Sequence, residues 1–378
     1  MASTYKRLAY STRQIQLNSS YCAFNRFHRQ QLRPFSLTHP TMSLPTRRLG
    51  TDGPLVTAIG FGAMGISAYY GATESDEERF KVLDHLYETG ERFWDTANVY
   101  GDSEELIGKW FDRNPEKRKD IVLATKWGNL GGGKVRNDPE YAKECAETSL
   151  KRLRTDYIDL YYVHRVDSSV PIENTVKAMV ELKNKGWVRH LGLSEVSAAT
   201  LRRAHAVHPI AAVQMEYSPF ALEIELPETN MLKTCQELGV AVVAYSPLGR
   251  GFLTGQIKSP EDFEEGDFRI DIPRFSPENF PKNLELVATL KEIAARHNAT
   301  NSQLVLAWLL KQWDMVIPIP GTKRIKYYDE NMGALRLSIS DEENEEIRKA
   351  INKTTIIGDR YPPGWSASLF TDTVPLKE

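Results

Sequence analysis

Cysteine is scarce: Cys22, Cys145 and Cys235 are the only three in 378 residues, and they are far apart and unpatterned. That excludes a disulfide scaffold and a cysteine-based zinc site, and it suits a reducing compartment. No run of 18 apolar residues occurs; the longest patches lie around 240–245 and 304–310. A membrane-spanning helix is therefore excluded. Charge of one sign is not in excess either. The net of −2 offers no overall field for nucleic acid or an anionic membrane. What remains is ordinary for a globular chain: 41% hydrophobic and 26% charged residues, enough to bury a core. The length suits two domains or one large one.

Acidic residues are missing from the first 51 positions, which carry eight basic ones: Lys6, Arg7, Arg13, Arg26, Arg29, Arg33, Arg47 and Arg48. The segment up to Met42 is also rich in Ser, Thr and Gln, without the apolar stretch of a secretory signal. It reads either as a mitochondrial transit peptide or as a disordered extension with Met42 as the working start. The expected location is cytoplasmic in the second case and mitochondrial if residues 1–41 act as a transit peptide. Either way, 1–42 is set aside, and 43–378 is expected to form one domain. That remainder carries about −8, an ordinary balance for an enzyme.

From residue 55 onward, short apolar runs alternate with amphipathic segments. Strands are expected at 55–61, 92–95, 120–126, 157–164, 187–193, 211–215, 240–245 and 315–319. Helices are expected at 76–89, 103–111, 139–153, 172–185, 198–207, 229–238, 284–296, 302–313 and 324–335. Every strand is followed by a helix, which requires right-handed crossovers and a parallel sheet. Eight such repeats predict an α/β fold, a single (β/α)8 TIM barrel. An open doubly wound sheet is the competitor. The longest irregular stretch, 246–283, is a candidate lid or binding loop.

Gly60-Phe61-Gly62-Ala63-Met64-Gly65 matches the dinucleotide-binding pattern of three spaced glycines. No helix is expected to open at Gly65, so a close backbone approach to a ligand after the first strand fits better. Asp95, Lys126 and His164 end the second, third and fourth expected strands, and Tyr100 follows Asp95 by five residues. Each has a bland alternative: a helix cap, a solvated strand end, a core histidine, a packing tyrosine. Together, consecutive barrel strands would deliver all four to one mouth, where barrels build active sites. Their chemistry is coherent. A carbonyl that accepts a hydride becomes an alkoxide and needs a proton. Tyrosine can give one, although its ordinary pKa is about 10. A nearby ammonium favours the phenolate, and a carboxylate keeps that ammonium charged. Histidine can hydrogen-bond the carbonyl oxygen.

With these residues in place, the chain resembles the aldo-keto reductase family. The stretch from Gly90 through Asp95-Thr96-Ala97-Asn98-Val99-Tyr100-Gly101 to Gly108 is similar to its first signature. Ala124-Thr125-Lys126-Trp127-Gly128 and Tyr161-Tyr162-Val163-His164 match the segments that carry the lysine and histidine. Ile317-Pro318-Ile319-Pro320-Gly321-Thr322-Lys323-Arg324, with Glu330-Asn331, resembles the cofactor-holding end of the barrel. The tail, with Arg360-Tyr361-Pro362-Pro363 and Ser366-Ala367-Ser368-Leu369-Phe370, resembles that of the YakC-like microbial and fungal branch.

The resemblance implies that Tyr100 is the general acid, that Lys126 and Asp95 tune it, and that His164 orients the substrate carbonyl. It implies NADPH/NADP+ as cofactor and no metal. Gly62, Ala63 and Met64 would approach the nicotinamide side. Ser194 and Gln214 would hold the carboxamide, and Tyr245 would stack on the ring. Ser246, Leu248, Gly249 and Arg250 would line the pyrophosphate. Gly321, Thr322, Lys323 and Arg324 would take the adenosine 2′-phosphate, beside Glu330 and Asn331. Trp127 would wall the substrate pocket next to His164. One departure stands out. The family often has Ser-Asn where this chain has Ser194-Glu195, and a carboxylate cannot supply the donor that an amide supplies.

The expected function is NADPH-dependent reduction of aldehydes or ketones, with a small-molecule carbonyl as partner and no nucleic acid or membrane partner. A second reading is a subunit that holds NADPH to sense redox state or to regulate, with little turnover. An open-sheet dehydrogenase built on Gly60–Gly65 is a third. A kinase is excluded, because no Asp-Phe-Gly metal site accompanies Lys126 and His164-Arg165. The sequence does not specify the carbonyl or the oligomeric state.

Overall fold

The computed structural model describes residues 43–362 and 364–377. The transit-peptide and extension readings, and Cys22, lie outside the described residues. A parallel eight-stranded sheet carries the fold. Its strands are β3 (Phe61–Gly62), β4 (Phe93–Asp95), β5 (Val122–Trp127), β8 (Ile158–Val163), β9 (Val188–Ser194), β10 (Ala212–Glu216), β11 (Ala241–Tyr245) and β12 (Val316–Pro318). Neighbours in chain order pair in parallel, and Gly60 N to Pro318 O (2.9 Å) and Gly62 N to Pro320 O (3.3 Å) join the last strand to the first. The result is a (β/α)8 barrel.

That seam explains two of the glycines. A Cβ on Gly62 would lie 2.7 Å from Ile319 O, and one on Gly321 would lie 2.6 Å from Gly62 O. Only glycine lets these backbones approach so closely.

The first expected strand, 55–61, is in fact two. Leu55–Thr57 (β2) pairs antiparallel with Thr46–Arg48 (β1), and only Phe61–Gly62 joins the barrel. A further hairpin, Asn129–Gly131 (β6) with Lys134–Val135 (β7), follows β5. The helices are α1 (Asp76–Glu88), α2 (Ser103–Arg113), α3 (Pro139–Leu153), α4 (Ile172–Asn184), α5 (Ala198–Val207), α6 (Met231–Leu238), α7 (Phe280–Arg296), α8 (Asn301–Gln312) and α9 (Ile325–Met332). A tenth, α10 (Asp341–Lys353), was not expected. It opens with a capping box in which Ser340 and Glu343 each accept from the other's backbone N–H.

Side chains alternate along each strand, and this sorts the core into two. Phe93, Ala124, Leu160, Tyr162, Ala212, Val243 and Ile317 fill the barrel interior. Leu123, Trp127, Tyr161, Val163 and Val213 face the helices. Asp95, Lys126 and Gln214 share the inward parity, so the pleat itself aims them into the barrel mouth. Among the described residues no helix is long and apolar enough to cross a membrane, and no cluster of three metal-ligating side chains occurs.

Just before β4, Glu91 is fully buried. One oxygen accepts from Phe93 N (2.7 Å) and the Thr57 hydroxyl; the other has no partner among the described residues. Burial pushes the carboxyl up to about 8. The native state then holds a proton that the unfolded chain has released, so stability falls as pH rises from about 4.5 to about 8 and is flat above. Glu91→Gln should remove this fall. Denaturation at pH 5 and pH 8.5 should show the variant gaining on the wild type at the higher pH; parallel curves would show that Glu91 does not titrate across folding.

Candidate active site

Asp95 closes β4, Lys126 is the penultimate residue of β5, and His164 follows β8 directly. Tyr100 lies in the turn between β4 and α2, where Tyr100 N bonds Ala97 O (3.1 Å). The structure brings all four together. Lys126 Nζ donates to Asp95 Oδ1 (2.5 Å), Thr96 O (2.8 Å) and the Tyr100 hydroxyl (3.3 Å). Gln214 Nε2 donates to the other Asp95 oxygen (2.8 Å). The His164 and Tyr100 rings meet edge to face at 5.6 Å.

Burial sets the protonation of this group. It pushes Asp95 up and Lys126 down, and their mutual contact opposes both shifts. Burial also pushes Tyr100 well above 10, with Asp95 adding and Arg165 opposing. The expected downward pull of the ammonium is therefore outweighed: the resting group is a neutral phenol. Burial, Arg165 and Lys126 keep His164 well below 6.5, so it is a neutral imidazole that can donate one hydrogen bond. The arrangement offers a proton on a phenol, a cation ready for the phenolate, and a neutral donor beside both.

A cavity of about 440 Å³ runs from this group across the barrel mouth. Gly62, Met64, Gln214 and Tyr245 line its inner end. Ser246, Leu248 and Arg250 line its middle, and Gly321, Thr322, Lys323 and Arg324, with Glu330 and Asn331, its far end. Ala63, Ser194 and Gly249 do not line it; Ala63 and Ser194 are buried behind its wall. Two loops meet over it, through Phe268 N to Tyr69 O (3.2 Å).

The lining fits a dinucleotide. Tyr245 offers an aromatic ring near Tyr100. At the far end, α9 begins with neither an acidic residue nor a side-chain cap, so its N–H groups favour an anion. Lys323 Nζ is held by the carbonyls of Tyr70 and Ala72 (2.8 Å to the latter); Arg324 pairs with Glu74 at 2.6 Å.

One expectation is corrected: Trp127 is not among the residues lining this cavity. It is fully buried and stacks on Tyr161 at 6.1 Å, because it follows the inward Lys126 and so takes the outward parity. The Glu195 departure also finds its explanation. Glu195 is fully buried, with φ of +51°, and is gripped by Arg360 (3.0 and 3.2 Å). Its Oε1 also accepts from the Tyr245 hydroxyl (2.8 Å). Burial alone would raise its pKa, but Arg360 and Arg165 hold it low. Glu195 thus anchors the tail and the Tyr245 ring.

Several side chains at the mouth were not singled out from sequence. Tyr361 bonds the Tyr245 hydroxyl (2.9 Å) and stacks with Trp365 at 6.5 Å. Phe268 packs on Trp365, and Tyr69 stands edge-on to Tyr100 at 6.4 Å. Arg165 lies next to His164 and bonds Ser194 and Tyr361. The aromatic richness of the tail was the one available signal.

Residues 58–352 match the family described as Aldo/keto reductase family. The chain is 58% identical to aldo-keto reductase str7 of Strobilurus tenacellus over 324 residues, 84% of this chain and 95% of that one. It is 51% identical to aldo-keto reductase yakc [NADP(+)] of Schizosaccharomyces pombe over 342 residues, 89% of this chain and 99% of the other. Its fold is similar to the crystal structure of the thermostable aldo-keto reductase Tm1743 in complex with the inhibitor epalrestat. The TM-score is 0.67 at 30% identity, covering 81% of this chain and 100% of that one.

Proposed function

The chain belongs to the aldo/keto reductase family, and from that premise we propose that it is an NADPH-dependent reductase of aldehydes or ketones in which Tyr100 gives the proton. The observation that carries the reading is the chain of contacts from Asp95 through Lys126 to the Tyr100 hydroxyl at one end of a dinucleotide-sized cavity. The relative named for NADP(+) supports the choice of cofactor. NADPH supplies the hydride.

His164, neutral, donates to the carbonyl oxygen and sets it against the Tyr100 hydroxyl. As negative charge develops on that oxygen, Tyr100 releases its proton to it. Lys126 at 3.3 Å stabilises the phenolate left behind, which a buried tyrosine could not otherwise sustain. Asp95 keeps Lys126 charged, and Gln214 keeps Asp95 in place. The aromatic side chains of the tail exclude water from the reaction.

The test is a panel of aromatic aldehydes, short aliphatic aldehydes, pyridoxal and ketones, with NADPH consumption followed. Sustained turnover on at least one class is expected. Cofactor that stays bound without turnover across the panel would instead indicate a redox-sensing or regulatory subunit.

Cofactor choice gives a further expectation. The 2′-phosphate of NADPH would meet Lys323, Arg324 and the uncapped start of α9. NADPH should bind at least about tenfold tighter than NADH, some 1.4 kcal/mol. Lys323→Ala with Arg324→Ala should erode that preference and barely change NADH affinity. Fluorescence titration of both nucleotides checks it; an equal loss for both would mean that these cations only tie down the 70–74 loop.

A further inference from the structure

Every fully buried arginine among the described residues has a carboxylate within 4 Å. Arg79 has Asp76 and Asp102, and Arg118 has Asp159. Arg250 has Glu216, Arg274 has Glu223, and Arg360 has Glu195 and Glu216. Arg165 does not follow them. It is half-buried, directly after His164, and, like the half-buried Arg47 and Arg92, forms no ion pair among the described residues. Its bonds go to neutral oxygens: its neighbour's carbonyl His164 O (2.7 Å), the Ser194 hydroxyl (3.3 Å) and the Tyr361 hydroxyl (3.4 Å). Nε has no bond among the described residues and is not sealed from solvent. The buried Glu195 carboxylate is already committed to Arg360 and Tyr245.

Arg165 feels the charge of Glu195 without pairing with it; a guanidinium with no carboxylate in direct contact can still receive an anion. Its planar fork suits a carboxylate through two parallel bonds. Position narrows the role further. Arg165 and His164 are consecutive, and the His164 ring touches Tyr100. An anion on Arg165 therefore belongs to the same small molecule whose carbonyl lies between His164 and Tyr100. Tyr69, Phe268 and Trp365 flank this corner and suit an aromatic or extended apolar body between the two groups.

Resting on the reductase reading above, we propose that Arg165 is a specificity-determining residue and that the preferred substrates are carbonyl compounds bearing a carboxylate.

The experiment compares matched pairs: 4-carboxybenzaldehyde with its methyl ester, and phenylglyoxylate with its methyl ester. kcat and KM would be measured in the wild type, Arg165→Met and Arg165→Lys, with NADPH affinity by fluorescence titration. The wild type should favour at least one acid over its ester by tenfold or more in kcat/KM, chiefly through KM. Arg165→Met should abolish that preference, Arg165→Lys should retain part of it, and NADPH affinity should hold in both. No preference in the wild type would overturn the proposal. So would an equal loss on acids and esters, which would make Arg165 a tuning group for Tyr100, or a weakened NADPH affinity, which would make it a cofactor contact. Failure of the reductase reading would look different: no carbonyl of either kind would be reduced.

Discussion

Tyr100→Phe should lower kcat by about 10²–10⁴-fold, the usual worth of a positioned proton donor, while NADPH affinity changes little. The substitution removes one oxygen. Among the described residues that oxygen receives only the Lys126 ammonium, at 3.3 Å, and Lys126 keeps its shorter bonds to Asp95 and Thr96. The Tyr100 ring keeps its edge contacts with Tyr69 and His164. The loss should therefore fall on the chemical step. Because burial holds the Tyr100 phenol well above 10, the acid stays loaded through the neutral range. Turnover near that of the wild type would assign the proton to another group. The neutral His164, whose Nδ1 has no partner among the described residues, would be the next candidate.

Arg360→Met should be the most destabilising substitution at the mouth, costing about 3–5 kcal/mol. Arg360 is the shared cation of Glu195 and Glu216, both almost fully buried. Methionine fills most of the space but leaves two buried carboxylates, with Arg250 still pairing only Glu216. Denaturant titration measures the loss. Adding Glu195→Gln to Arg360→Met should recover much of it, since the uncompensated charge is then gone, and a double-mutant cycle isolates the coupling. A loss below about 1 kcal/mol would mean that water reaches the pair and screens it. Because the Tyr245 hydroxyl hangs on Glu195, the single variant should also weaken NADPH binding.

The barrel was readable because its signals are local. Each strand is a short apolar run and each helix an amphipathic one, so alternation alone gave the topology. The tetrad was readable for a related reason: Asp95, Lys126 and His164 stand at strand ends with inward parity. The same parity, counted one residue further, would have turned Trp127 away from the pocket. The 55–61 stretch misled because it is mostly apolar, and the single Thr57 that ends the hairpin strand is a residue strands also favour. The helix α10 announced itself through Ser340 and Glu343, a signal that was present and passed over. The tail was of another kind. Arg360 and Glu195 are 165 residues apart, and no spacing rule links them. Likewise, Arg165 is conspicuous only because its neighbours' carboxylates are otherwise engaged, which a sequence does not record.

On the proposed mechanism, hydride passes from NADPH to a bound carbonyl while Tyr100 gives the proton, over many cycles. NADPH carrying deuterium at the transferable position of the nicotinamide, with an aldehyde in excess and mass analysis of the product, tests both steps at once. The wild type should give many equivalents of alcohol per enzyme, each with one deuterium on the carbinol carbon, and Tyr100→Phe almost none. Oxidation of a single equivalent of cofactor without alcohol, or alcohol that carries no label, would contradict that mechanism.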